Sequence, residues 1–460
     1  MSHVMRVTHV AIQPSQGAVD ASRPSLTPEL LAATGARYSR SLDGLETILA
    51  KVTPEDMDAA VDRIFKFVDY GHASIADMAP VSLFLDGISM WLAYHVWTLV
   101  PTAGGQESST RYIKIGAASV VSPDKVGIVD DGFQSFIDTA MAAYTSALAF
   151  WEEVSIQNPT LVRIPAGTPD KAAARIRRNF AFDRARYFLP IAAQTNVMLV
   201  MSARGWVQLV QMLYAHTSQE AHQLAEMIRD ELSLVTPRLL KHARPVDGLV
   251  SGIQKELADA ALEAAQDCQA LRSTYGEADD AASLEVFSPP GVTEDDYVND
   301  LMFHDNRYGH IGPALRRTAV RFSWNAITMA ELRDLNRHRT GAKHCPMVPR
   351  GFYAAIEQIP EGTNQEALRS LVEQGRQMTI DARNRIAKGD RSAIYWTLLG
   401  AQYAFEHTTT ADKFLYEAEL RTGTGAHYKY AKHLHDALDL WYRKFPRTRG
   451  LILEGSAEPE

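Results

Sequence analysis

The sequence predicts an α+β fold, rich in helix and built as two similar tandem halves. Three observations carry that expectation. Helical patterning dominates, over residues 172–187, 204–231, 366–388 and 412–442. Clear strand signals are few, at 5–12, 81–85 and 320–324. Tyr70-Gly71-His72 recurs as Tyr308-Gly309-His310, an offset of 308 − 70 = 238. After each copy comes an apolar-rich segment, 81–97 or 318–335, sized for one strand and one helix. Each segment leads into a Gly/Pro-containing loop that closes on an arginine and an aromatic, at 104–112 and 341–353.

The boundary between the halves follows from the same comparison. A helical Ala/Glu/Leu stretch at 255–271 resembles the opening stretch at 27–41, so the boundary is expected just before it, near Asp247-Gly248. Ser288-Pro289-Pro290-Gly291 then breaks the chain before the second strand signal. The expected domains are 1–246 and 247–454, with 455–460 as a frayed tail.

Composition bounds the function classes. The chain has 460 residues, with 47 Lys+Arg against 55 Asp+Glu, so 47 − 55 = −8. With 46% apolar and 22% charged residues, it is neither disordered nor collagen-like. Two cysteines, Cys268 and Cys345, cannot make a disulfide framework or a zinc site alone, and they fit a reducing compartment. The acidic balance argues against nucleic-acid binding. The N-terminal residues lack the pattern of a signal peptide. The most apolar stretch, 191–201, carries Gln194 and Asn196 and falls short of the ~20 residues a membrane span needs. The expectation is a soluble, cytoplasmic protein.

Two motifs carry chemistry. Arg337-His338-Arg339 is a cation triplet at the end of a helical segment, with Asp334 three residues before it. Neighbouring residues on a helix face different ways, so the triplet cannot serve one ion pair. It is either helix C-terminal charge or a grip on a phosphate-bearing ligand. Gln106-Glu107-Ser108-Ser109-Thr110-Arg111-Tyr112 places acceptor, hydroxyl and guanidinium in seven residues after two glycines. Gly423-Thr424-Gly425 lacks the third glycine of a dinucleotide loop, and His427, His433 and His435 lack metal-ligand spacing. No metal is expected.

Together these residues resemble the flavin-dependent thymidylate synthases. That family combines a His-containing segment, an Arg-His-Arg helix end and a Ser-x-Arg-Tyr loop. An Ala-Arg-x-x-Leu-Pro segment, an Asn-Ala-Arg segment and a late helix arginine follow. The first half keeps Gly71-His72-Ala73-Ser74, Glu107, Ser109, Arg111, Tyr112, Ala185-Arg186 with Leu189-Pro190, and Ser202-Ala203-Arg204. Leu99-Val100-Pro101 stands in place of its triplet, and Leu213 in place of the late arginine. The second half keeps the triplet and Arg421. It has only Arg350 of the loop, Ile394 for the Ala-Arg arginine and Thr410-Ala411-Asp412 for Asn-Ala-Arg. Asp77-Met78 replace the family's Glu-His.

The losses are complementary, and the resemblance implies one composite nucleotide site. Glu107, Ser109, Arg111 and Arg186 would come from the first half, and Asp334, Arg337 and Arg421 from the second. Arg111, Arg186 and Ser109 would hold the phosphate of a pyrimidine nucleoside monophosphate. Arg421 would act as the catalytic residue, favouring a deprotonated, enolate-like ring. The bland alternatives are an Arg421–Glu417 pair and an Arg186–Asp183 pair within helices. FAD would be held by Arg337, His338, Arg339 and Glu107, with His72, Ser74, Ser202 and Arg204 from neighbouring halves. The resemblance implies NADPH and methylenetetrahydrofolate as co-substrates, and a homodimer equivalent to the family's tetramer. The implied reaction is methylation of dUMP at C5. Its alternatives are UMP as substrate, a hydroxymethyl product, or a catalytically silent flavin- or nucleotide-binding homologue. Cys345 is expected to be a small packed thiol and no nucleophile.

Overall fold

Two antiparallel sheets organise the residues described by the computed structural model, which are 4–10, 26–42, 44–50, 57–69, 73–130, 132–266 and 280–456. Each sheet belongs to a different unit. The first unit gathers Met1–Ser108, Ala118–Val129 and Gln194–Leu257, and the second gathers Ser109–Ala117, Asp130–Ala193 and Ala258–Glu460. These units are discontinuous in sequence, so 109–117 and 130–193 belong with residues far downstream.

The first unit's sheet contains β1 (Arg6–His9), β2 (Pro80–Ser89), β3 (Gly104–Glu107) and β4 (Gln194–Ser202), in the order β1-β2-β4-β3. Val81, Leu83 and Leu85 alternate into the core from β2, the period-two pattern of a sheet face. The β2–β4 register shifts between Leu85 and Ile88. Gly87 takes φ 69° there, and the Asn196 side chain accepts from its N–H at 2.9 Å. Ser89 ends β2 and caps the next helix, Met90–Leu99, by accepting from Leu92 N at 2.9 Å.

The second unit's sheet contains β5 (Ala282–Phe287), β6 (Ala319–Thr328), β7 (Ala342–His344), β8 (Gly351–Phe352) and β9 (Ala401–Thr410). Its order is β5-β6-β9-β7, and β8 pairs with the start of β9. Phe322, Trp324 and Phe405 build its core with Trp441 of the helix Tyr428–Lys444. The register shift falls between Trp324 and Ile327, and Thr328 caps the helix Met329–Leu335. Both long strands thus shift after their sixth residue and end in a hydroxyl cap at their tenth. Their starts differ by 319 − 80 = 239, one more than the tripeptide offset.

The α+β, helix-rich class holds, and the strand count was underestimated. β4 and β9 are central strands that the strand expectation omitted. In β9, Tyr403, Phe405, His407 and Thr409 alternate inward, a period masked by its polar residues. The strand expected at 5–12 pairs over Arg6–His9, and those expected at 81–85 and 320–324 are ten-residue strands. The helix expected at 204–231 is two helices, Ala203–Ala215 and Gln219–Val235, because Ser218 caps a new start. The one expected at 412–442 breaks into Ala411–Thr422 and Tyr428–Lys444 across Gly423–Gly425, with Gly425 at φ 81°. The tail also differs at its start, where Gly455 N donates to Thr422 Oγ1 at 3.0 Å. No described helix is long and apolar enough to cross a membrane.

Candidate functional site

The second unit concentrates guanidinium groups around two buried carboxylates. Each arrives at the end of an element. The helix Asp170–Ala185 runs into a single turn, Arg186–Phe188, which carries Arg186. Met329–Leu335 presents Asp334, and the triplet follows directly. Ala411–Thr422 presents Arg421 in its last turn. Ser109 and Arg111 form a short polar turn, in which the Arg111 N–H donates to Ser109 Oγ at 3.2 Å.

The contacts are specific. Arg111 grips Asp183 with two parallel bonds, Nε to Oδ1 at 2.9 Å and Nη2 to Oδ2 at 3.1 Å. Its Nη1 also donates to the Gly425 carbonyl at 3.1 Å. Arg186 lies 3.5 Å from Asp334 Oδ2, and Arg337 lies 3.7 Å from Oδ1. Arg421 Nη2 donates to the Asp334 carbonyl at 2.9 Å. Three guanidiniums thus reach two carboxylates and Arg421 reaches the Asp334 main chain, so the four cations exceed the two carboxylates by 4 − 2 = +2. Burial alone would raise the Asp334 carboxyl, but Arg337, Arg186, Arg421 and Arg111 outweigh it and hold it at about 2. Burial would lower Arg186, and Asp334 and Asp183 overcome that and raise it.

Arg186 carries the strongest signal. It is 2% exposed, yet its Nε and Nη2 have no hydrogen-bond partner. An unmet buried N–H costs about 1–3 kcal/mol, more on a charged group, so these atoms mark the place of an acceptor. Arg337 Nε is a second buried, unmet donor.

Behind Arg421 lie a buried histidine and a buried carboxylate. Arg421 Nε donates to His338 Nε2 at 2.7 Å, and arginine has no acceptor, so the ring carries its proton on Nδ1. Burial, aided by Arg421, holds His338 neutral at about 3, against the opposing pull of Glu417. Glu417 pairs with His407 at 3.2 Å. Lys343 donates to the Asn336 carbonyl at 3.1 Å and to that of His338, and burial lowers it to about 8.

Both bland pairings fail. Arg421 turns to His338 and Asp334 while Glu417 serves His407, and Asp183 serves Arg111 while Arg186 turns to Asp334. Arg111, Arg186, Asp334, Arg337, His338 and Arg421 therefore meet within one chain, although 235 residues separate Arg186 from Arg421 (421 − 186). Arg350, the one arginine of the second half expected to match the loop, pairs with Glu263 at 3.0 Å.

Glu107, Ser74, Ser202 and Arg204 lie in the first unit. Glu107 is buried on β3 opposite Val197. Ser74 opens the short helix Ser74–Asp77, whose Asp77 accepts from Ser202 Oγ at 3.3 Å and from Arg204 Nη1 at 2.9 Å. His72 and Cys268 lie outside the described residues. Arg339 follows His338 at the triplet's end, and Cys345 is half-buried just beyond β7.

Sequence reasoning missed three contributors. Asp183 entered only as an alternative partner. Gly425 was set aside with a failed dinucleotide loop, yet its carbonyl orients Arg111. His427 was set aside as a metal ligand, and its ring sits 3.4 Å from the Asp183 carbonyl. Burial holds His427 well below its ordinary range, with Arg186, Arg111 and Arg184 adding to the effect. The signal available was the left-handed glycine after a helix, which turns a carbonyl outward. Among the described residues, no His/Cys/Asp/Glu group could hold a metal ion.

Residues 24–238 match the family model described as thymidylate synthase complementing protein. That match takes in Arg111, Asp183 and Arg186 and stops before Asp334, Arg337 and Arg421. A flavin-dependent thymidylate synthase of Mycolicibacterium gilvum (strain PYR-GCK) is 28% identical over 178 residues, 37% of this chain and 65% of that protein. One from Clostridium tetani (strain Massachusetts / E88) is 23% identical over 222 residues, 47% of this chain and 83% of that protein. The chain thus spans about 65% of the length of the mycobacterial relatives it matches. A solved UMP/dUMP methylase from Streptomyces cacaoi, bound with 5-Br dUMP, is 14% identical. It covers 53% of this chain and 95% of that one with a TM-score of 0.33, too low to bear on the fold.

Proposed function

We propose that this chain, which belongs to the thymidylate synthase complementing protein family through residues 24–238, methylates a pyrimidine nucleoside monophosphate at C5, with dUMP as the substrate. One observation carries the reading: a buried arginine with two unmet donors, inside a cluster carrying two surplus positive charges. A nucleoside monophosphate is a near-dianion, so it supplies both the acceptors and the balancing charge. Arg186 would hold the phosphate with Ser109. Arg111, fixed by Asp183 and Gly425, would shape that pocket rather than give it both forks. Two of the five N–H groups of Arg421 are engaged, so three remain for a pyrimidine oxygen. Pre-set donors of this kind stabilise charge that develops on the ring oxygen during reaction.

FAD fits this reading at one end only. Arg337, with its unmet Nε, fits an electron-rich ring edge, and Arg339 follows it in the triplet. Ser202 and Arg204 fit less well, because Asp77 engages both. When bound, the flavin supplies the reducing equivalents, with NADPH as their source and methylenetetrahydrofolate as the carbon donor. Each half as one thymidylate-synthase-like domain, with a duplicated origin and a homodimeric assembly, belongs to the same proposal. The shared strand order and register shift support it. The engagement of Ser202 and Arg204 favours a second reading, a nucleotide binder without flavin.

Calorimetric titration with dUMP and UMP tests the site. Arg186→Ala should weaken binding by about 30-fold or more, the loss expected when one side of a buried charge pair is removed. Arg186→Lys should recover only part of it, since lysine cannot replace a planar fork. Unchanged affinity in both variants would sink the proposal. Flavin absorbance of the purified protein, and mass analysis of dUMP after anaerobic incubation with NADPH and methylenetetrahydrofolate, separate the two readings.

A further inference from the structure

The outer face of the helix Asp170–Ala185 continues the positive charge beyond the arginine cluster. Arg175, Arg178, Asn179 and Phe182 recur at i, i+3, i+4 and i+7, which places them on one stripe. Tyr112 and Lys114 face them, and the six residues line a cleft of about 550 Å³. That is the size of a small-molecule site. Phe182 is buried at its base, and Tyr112 is 54% exposed at its lip. Lys114, Arg175 and Arg178 are exposed, and no acidic residue lines the cleft. A cation row normally interleaves with acids along a helix. Here three cations stand together against two aromatic rings and an amide.

We propose that this cleft is a second binding site, distinct from the buried arginine cluster, for a nucleoside diphosphate. The charge matches, since such a ligand carries about three negative charges at neutral pH, against the three lining cations. Tyr112 offers a ring face for a planar base, and Asn179 offers the donor and acceptor pair that reads a base edge. Arg175 and Arg178, one turn apart, grip adjacent phosphoryl groups. Tyr112 lies against Arg111, whose guanidinium is 5.7 Å from its ring, so the cleft adjoins the arginine cluster. The test variants are placed at Arg175, Arg178 and Lys114, none of which holds the monophosphate in the function proposed above.

The test is titration of the full chain with ADP, inorganic pyrophosphate and pentaglutamate at low salt. ADP should bind, and more tightly than pyrophosphate, because the ring adds stacking. Arg175→Glu with Arg178→Glu should weaken ADP by about 100-fold, roughly tenfold per reversed charge. Lys114→Glu, on the facing segment, should cost about tenfold. Binding of dUMP should be the same in these variants, and excess dUMP should not displace ADP. Four results would overturn the proposal: no ADP binding, equal affinity in the variants, displacement by dUMP, or pentaglutamate binding more tightly than ADP.

Discussion

The two units share a four-strand order, to which the second adds β8, and then spend it differently. Counting six residues on from the caps Ser89 and Thr328 gives His95 in the first unit and Asp334 in the second. Asp334 is a carboxylate surrounded by guanidiniums. His95 stacks on Trp91 at 5.4 Å and meets His216 at 4.9 Å. Burial, with His216 adding to it, holds His95 neutral at about 3. Leu213, fully buried, stands in the first unit where Arg421 stands in the second. The same caps place Thr98-Leu99-Val100 opposite the triplet, one residue earlier than the tripeptide offset implies. The two units thus differ in these charges as a set. A buried arginine and its carboxylate are each tolerable only beside the other, so losing one makes the other a liability.

That comparison breaks most sharply at Asp334. Asp334→Ala leaves Arg186 and Arg337 without their counter-charge and should cost about 3–5 kcal/mol in urea unfolding. Its topological counterpart, His95→Leu, should cost about 1 kcal/mol or less, as a neutral swap in a core. Comparable losses would mean that Asp334 is not the electrostatic hub.

Placing charge in the first unit sharpens the same point. Leu213→Arg buries an unpaired guanidinium and should destabilise by several kcal/mol. Adding His95→Asp should recover about 1–3 kcal/mol, measured as the coupling of a double-mutant cycle. Zero coupling would show that the two units share topology without sharing side-chain geometry.

Acid should loosen both units through their buried histidines. The folded pKa of Asp334, about 2, lies below the ordinary 3.8. Its stabilising contribution is thus present above pH 4 and lost as pH falls through 2. Integrated, that is about 2 kcal/mol. His95 and His216 are held at about 3 and about 4, below the ordinary 6.5. Unfolding lets them protonate, so the first unit should lose stability from pH 6.5 downward, about 1.4 kcal/mol per pH unit for each ring. His338, held at about 3, and His427, held well below its ordinary range, act the same way in the second unit, so amide exchange should be faster at pH 5 than at pH 7 in both units. The double variant His95→Phe with His216→Phe should remove that loss from the first unit alone.

The smallest effect is expected at Cys345. Cys345→Ser should keep most of any turnover. A covalent adduct with 5-fluoro-dUMP on the wild-type protein, absent from the variant, would move the chemistry to thiolate addition.

Much of this was legible in residue order. The long helices and the strands at 81–85 and 320–324 follow from local periodicity and residue type. Periodicity and residue type are properties of short stretches, so one chain displays them without its fold. The helix breaks before Gln219 and at Gly423–Gly425 were less visible, because a cap competes with an otherwise continuous helical pattern.

What tertiary structure alone decided is partnership. From sequence, Arg186 has Asp183 three residues back and Arg421 has Glu417 four back, and both pairings obey helix geometry. The fold rejects them, since Asp183 meets an arginine 183 − 111 = 72 residues upstream and Asp334 meets Arg186, 334 − 186 = 148 residues away. Desolvation makes each buried charge seek the nearest counter-charge in space, whatever its distance along the chain. The two unmet donors of Arg186 follow from that same geometry. They exist because one carboxylate, already shared with Arg337 and fixed by its helix, cannot reach around the whole guanidinium.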